Sequence, residues 1–138
     1  AGLRIGYAIG NPELIAALND VKYSYNSYTM NMAAIELGAA VLEDKQYFED
    51  TVAKIVNTRE QAKVRLKELG FTFPDSKTNF IFAKPSKISA KLLFEELKKR
   101  NIYVRYFNAP RVNEYLRITI GTDEEMERFY EAVEDILI

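Results

Sequence analysis

Tyr115-Leu116-Arg117-Ile118-Thr119-Ile120-Gly121-Thr122-Asp123-Glu124-Glu125 carries a strand, a break and a helix start in one run. Alternation sends Leu116, Ile118 and Ile120 to one face of the strand and Tyr115, Arg117 and Thr119 to the other. Gly121 interrupts it, and Thr122-x-x-Glu125 is a capping box that opens a helix. Met126, Phe129, Tyr130, Val133, Ile136 and Leu137 follow at helical spacing, the cleanest amphipathic pattern in the chain. If the apolar face of the strand meets that helix, Arg117 projects from the opposite face on a rigid element.

Working back from this unit, the pattern alternates strands and helices. Asn79-Phe80-Ile81-Phe82-Ala83 predicts a strand that Pro85 stops. Ser89 is a helix cap ahead of Leu92, Leu93 and Leu97. Ile102-Tyr103-Val104-Arg105-Tyr106 predicts the next strand, and 107–114 a loop with Pro110. Phe71-Thr72-Phe73 is a shorter strand candidate before Pro74. A long helix is expected from near Lys45 to Leu69, burying Val52, Ile55, Val56, Leu66 and Leu69 and ended by Gly70 in a left-handed conformation. Met30, Ala33, Ala34, Leu37 and Val41 have helical spacing, while Tyr23 to Thr29 reads as a loop. Asn11-Pro12-Glu13 starts a helix running to about Lys22. Leu3, Ile5 and Tyr7 alternate as in a short strand with Arg4 facing away. The order predicts an α+β fold, a small antiparallel or mixed sheet with helices on one face. The strand-helix-strand segment from Asn79 to Tyr106 fits either a parallel or an antiparallel arrangement.

With 138 residues, 48% of them hydrophobic, the chain suits one domain with a real core. Nineteen basic and twenty acidic residues give a net charge of -1, so no long-range attraction to nucleic acid or an anionic membrane is expected. Cysteine and histidine are absent, which excludes disulfides, thiolate metal sites, cysteine nucleophiles and Ser-His-Asp chemistry. No apolar run approaches the roughly 18 residues that span a bilayer. The tyrosines from Tyr23 to Tyr28 have no basic excess around them and suit packing against further protein better than base stacking. Glu95-Glu96 and Glu124-Glu125 lie on helices or helix starts, where a solvated or dipole-favouring role suffices.

Taken alone, Arg117 suits bidentate capture of a carboxylate, or else is a solvated strand arginine. Two motifs decide between these. Gly2-Leu3-Arg4-Ile5-Gly6, preceded by Ala1, resembles the segment after the cofactor-bearing lysine in fold-type I aminotransferases, which depend on pyridoxal phosphate. Tyr115-Leu116-Arg117-Ile118-Thr119-Ile120-Gly121-Thr122 narrows the resemblance to histidinol-phosphate aminotransferases. The resemblance spans essentially the whole chain and implies the C-terminal small domain of such enzymes over residues 1–138, with 1–22 suited to the edge of a large cofactor-binding domain.

Three roles come with the resemblance. Arg117 binds the α-carboxylate of the amino-acid substrate. Arg4 holds the cofactor phosphate, a dianion that a guanidinium meets with several donors. Arg105 lies close to the substrate phosphate, with Arg111 as a weaker substitute. Tyr25-Asn26 and Asn79 sit in family-like stretches, but loop and backbone hydrogen bonding explain them first; Ser24 stands where the family often has proline. The resemblance places the lysine just before Ala1, so the chain alone is expected not to transaminate. It further implies small amino-acid and keto-acid substrates, a cytoplasmic homodimeric parent, and a monomer for the chain by itself. Aminotransferases for aromatic amino acids, decarboxylases acting on threonine phosphate, and a non-catalytic ligand- or protein-binding module are the competing readings.

Overall fold

Residues that alternate between apolar and polar need a neighbour on each side to complete their hydrogen bonds, and four short segments supply one another. In the computed structural model, which describes residues 2–138, these are β1 (Phe71–Thr72), β2 (Phe80–Pro85), β3 (Arg105–Tyr106) and β4 (Leu116–Thr119). They form one sheet in the order β1-β2-β4-β3, with every neighbouring pair antiparallel. Because β2 and β3 both run against β4, they point the same way with β4 between them. The arrangement left open by the sequence is thus a crossover between non-adjacent strands, carried by α4 (Ala90–Lys99).

The remaining helices are α1 (Pro12–Tyr25), α2 (Met32–Glu43), α3 (Lys45–Glu68) and α5 (Asp123–Leu137). Contacts divide the chain into two compact units, residues 1–49 and 50–138. The division falls well beyond the stretch 1–22 that the sequence assigns to a domain edge. Ala1, the first residue of the N-terminal motif, lies outside the described residues. Among the described residues no helix is long and apolar enough to cross a membrane, and no acidic cluster could hold a metal ion.

In residues 50–138 the core lies on one face of the sheet. Ile81 and Ala83 of β2 and Leu116 and Ile118 of β4 pack with Leu66 of α3, Leu93 and Leu97 of α4, and Phe129 and Val133 of α5. The helices therefore cover one side, and Phe80, Phe82, Lys84, Arg117 and Thr119 occupy the other by strand alternation. The caps form as their residue types dictate. Ser89 Oγ accepts from the Leu92 amide, and Thr122 and Glu125 close a reciprocal capping box. Gly70 ends α3 at φ 88, where a Cβ would stand 2.8 Å from Ser86 Oγ.

Three expectations need correction. The alternation at Leu3, Ile5 and Tyr7 does not form a strand. Arg4 adopts φ 57, outside the extended region, and no described strand pairs with the segment. Val52 and Val56 are exposed rather than buried on α3. Thr58 Oγ1 donates to Asp123 Oδ1, at the first residue of α5, and Arg65 pairs with Glu134 further along it. The two helices thus run in the same direction, and α3 before Thr58 extends past the start of α5, so Val52 and Val56 lie beyond the α5 contacts and stay exposed. Finally, β3 is confined to Arg105–Tyr106, because only these two residues have partners on β4. Ile102 and Val104 still pack against the core from outside the ladder.

Tyr130 gives the core a measurable pH response. Burial, reinforced by Glu127, pushes its phenol up to about 12, with Arg65 opposing. An unfolded tyrosine titrates near ~10. Between these values the folded chain holds a proton that the unfolded chain has lost. This contribution to stability is whole below ~10 and disappears as pH rises toward the folded value, a loss on the order of 2 kcal/mol. Urea unfolding across this alkaline range is expected to show the decline in the native chain and a flatter profile for Tyr130→Phe; equal slopes would contradict it.

Candidate functional site

The uncovered face of the sheet in residues 50–138 concentrates aromatic rings and cations. Arg105 of β3 and Arg117 of β4 are direct cross-strand partners, and Arg117 is also paired with Phe82 of β2. Cross-strand partners have Cα atoms about 4.5–5.5 Å apart, and like charges so placed repel. Neither arginine forms an ion pair with a carboxylate among the described residues. Glu114, the acid of the preceding loop, is instead 2.8 Å from the Lys84 ammonium and raises its pKa, chiefly by hydrogen bonding. The two guanidiniums are therefore available to an external anion.

Rings brace them. The Phe107 ring centre is 5.1 Å from the Arg105 guanidinium carbon and 5.9 Å from that of Arg117. Phe80 contributes a second ring 5.5 Å from Arg117. Beside them Phe82 and Tyr115 stack at 4.7 Å with planes 10° apart. Such contacts hold a guanidinium without consuming its hydrogen-bond donors.

Phe80 is placed by a polar clamp on the segment ahead of β2. The buried Lys63 ammonium reaches Asp75 at 2.6 Å and Glu60 at 2.9 Å, and the buried Arg59 guanidinium donates to the Thr78 carbonyl at 3.2 Å. The hydrogen bond to Asp75, then that to Glu60, raises the Lys63 pKa, while Lys63 and then Lys77 lower that of Asp75. Ser76 and Thr78 hydroxyls both donate to the Phe80 carbonyl, and the Asn79 carbonyl accepts from the Ile120 amide. The helix face around Arg59 and Lys63 is thereby tied to the strand start whose ring supports Arg117.

Residues 1–49 hold Arg4. It lines a cavity of about 340 Å³ together with Thr29, Met30, Asn31 and the first turn of α2 at Ala33 and Ala34. Asn31 caps that helix, its Oδ1 accepting from the Ala34 amide at 2.8 Å. A guanidinium, a hydroxyl and a helix N-terminus form a donor set that suits a phosphate. The left-handed φ at Arg4, rare for a side chain of this size, is part of that local geometry.

Other candidates take structural roles. Arg111 sits in the 109–114 turn at φ 74 and does not join the ring contacts around Arg105 and Arg117. Asn26 caps the C-terminal end of α1, and its side chain accepts from the Tyr28 amide. Glu96 pairs with Lys99 and Arg100, and Glu125 serves the cap. Phe107 and Phe80 were missed as site residues. Phe107 follows a two-residue strand; only its position two residues after Arg105, on the same face by strand alternation, hinted at a shared location.

The family model described as aminotransferase class I and II matches residues 1–133. A histidinol-phosphate aminotransferase from Brachyspira hyodysenteriae is 52% identical over 99% of this chain. The chain spans 39% of that protein's length. The crystal structure of the histidinol-phosphate aminotransferase from Clostridium acetobutylicum superposes with a TM-score of 0.79 at 26% identity, covering 99% of this chain and 41% of that one. The enzyme of the same description from Sinorhizobium meliloti, solved in complex with pyridoxal-5'-phosphate, gives a TM-score of 0.79 at 24% identity, over 98% of this chain and 38% of that one.

Proposed function

The chain belongs to the class I and II aminotransferase family, and from that membership we propose that it forms the substrate-gripping part of a histidinol-phosphate aminotransferase. The reaction moves an amino group between glutamate and imidazole acetol phosphate. One observation carries the reading: Arg105 and Arg117 face each other across paired strands, and no carboxylate among the described residues forms an ion pair with either. The phosphate of imidazole acetol phosphate and the α-carboxylate of glutamate, bound in turn, supply the missing negative charge.

In this reading Arg117 grips the α-carboxylate of glutamate, and Arg105 joins it from the adjacent strand when the phosphate of imidazole acetol phosphate is bound. Phe80 and Phe107 keep both guanidiniums aimed without competing for their donors. Arg4, with the Thr29 hydroxyl and the α2 N-terminus, would hold the phosphate of pyridoxal phosphate. That cofactor, when bound, supplies the electron sink that amino-group transfer needs. The chain's own contribution is binding and orientation. These side chains fix the anionic group of each substrate, so that its reacting carbon is presented in one pose.

The parent enzyme is proposed to be a cytoplasmic homodimer with small amino-acid and keto-acid substrates. Support for further protein contacts comes from residues 1–49, where Leu14, Leu18, Val21, Tyr25, Tyr28 and Leu42 are all exposed.

The test is a transamination assay of the cofactor-loaded enzyme carrying this chain, with glutamate as amino donor. The kcat/KM for imidazole acetol phosphate is expected to exceed that for a phosphate-free aromatic keto acid by about 100-fold, the scale of losing a charge-assisted contact to the substrate. Preference for the aromatic keto acid would overturn the reading.

A further inference from the structure

Among the described residues Phe107 is the one ring that contacts both arginines: its centre lies 5.1 Å from the Arg105 guanidinium carbon and 5.9 Å from that of Arg117. We propose that Phe107 is a positioning residue that couples the two guanidiniums into a single dianion-binding unit, and so makes this face selective for phosphate over a monocarboxylate. The proposal rests on the assignment of Arg105 and Arg117 to substrate anions.

The argument begins with repulsion. Two cations at cross-strand positions drive one another apart when nothing lies between them. Each arginine side chain has several rotamers and substantial conformational entropy to lose on being fixed. A ring in contact with both changes both conditions. Its negatively polarised face attracts each guanidinium, and its bulk denies them rotamers that splay outward. Phe107 is half-buried and follows β3 directly, so its own position is set by the strand it ends. Phe80 cannot do the same alone, because its ring contact is with Arg117 and not with Arg105. Removing the Phe107 ring should thus leave each arginine able to pair with a single charge, while the two no longer converge on one ligand.

That distinction separates positioning from a general structural role. A dianion whose oxygens engage both guanidiniums benefits from their convergence; an acetate held by one of them does not. The experiment uses the full chain, with arginine side-chain NH resonances followed during titration with inorganic phosphate and, separately, with sodium acetate. Both are measured at low ionic strength and at a pH where phosphate is the dianion. The variants are Phe107→Leu, which retains apolar bulk, Phe107→Tyr, which restores a ring, and Arg105→Ala.

The expected result is that Phe107→Leu weakens phosphate binding about three- to tenfold, the scale of one or two exposed cation–π contacts plus lost convergence. Acetate binding should change less than about twofold, Phe107→Tyr should recover phosphate binding, and Phe107→Leu should add little on top of Arg105→Ala. Equal losses for phosphate and acetate, or no loss for either, would overturn the role of Phe107. If Arg105→Ala abolishes the phosphate preference while Phe107→Leu leaves it intact, the arginine site stands and the coupling by Phe107 does not. If the native chain shows no preference for phosphate over acetate, both the coupling and the anion-binding assignment of the arginine pair fail.

Discussion

Arg117→Ala is expected to lower kcat/KM about 10²–10³-fold for both glutamate and the phosphate-bearing substrate in the cofactor-loaded enzyme that carries this chain. That range corresponds to about 3–4 kcal/mol, the usual cost of removing one partner from a desolvated, hydrogen-bonded charge pair. The effect should reach both substrates because they bind in turn, glutamate presenting an α-carboxylate and imidazole acetol phosphate a phosphate to the same guanidinium. Arg117→Lys is expected to recover little of the loss, since an ammonium cannot reproduce two parallel N–H donors. Arg105→Ala should differ in kind and fall mainly on the phosphate-bearing substrate. Stability should barely change for Arg117→Ala, because the side chain is exposed and has no ion-pair partner among the described residues. Removing one of two facing cations also relieves their repulsion. Steady-state kinetics with each substrate varied, beside a thermal melt, tests this. An unchanged kcat/KM for glutamate would remove Arg117 from the carboxylate role.

Leu66→Ala is expected to destabilise residues 50–138 by about 3 kcal/mol, within the 2–5 kcal/mol found for fully buried leucines. Leu66 is completely buried on α3, in the cluster that also holds Ile81, Leu93, Leu116 and Val133. Its loss leaves a cavity between layers that meet it from different elements, and a sheet braced by α4 and α5 cannot collapse freely to fill it. Leu66→Met, which conserves volume, should cost less than about 1.5 kcal/mol. Because the arginine pair lies on the opposite side of the same sheet, a partly loosened core should blur anion binding only near the unfolding transition. Urea unfolding with an unchanged slope and a lowered midpoint checks the prediction. A shift below about 1 kcal/mol would mean that the site repacks.

Local chemistry made much of this protein legible. Thr122 and Glu125 specify a capping box with side chains only three residues apart, and it forms as read. Asn11 with Pro12, and Ser89, start their helices by the same short-range logic. The alternation through Leu116, Arg117 and Ile118 placed Arg117 opposite the core, since strand geometry sends successive side chains to opposite faces. The failures share a cause. Leu3, Ile5 and Tyr7 alternate as well, but a strand exists only where another offers its backbone, and none among the described residues pairs with them. Val52 and Val56 continue an apolar pattern past the point where α5 begins, so periodicity overstated the buried stretch.

The sequence by itself determined the α+β class, the helix starts, the face on which Arg117 stands and, through its motifs, the aminotransferase family. Those properties depend on neighbours within a few residues or on a pattern shared with relatives. Tertiary structure alone decided that β4 lies between β2 and β3, that Arg105 sits directly across from Arg117, and that the Phe107 ring reaches both guanidiniums. Register between strands far apart in the chain depends on which apolar faces pack together around α3, α4 and α5, and that choice is made by the whole core at once.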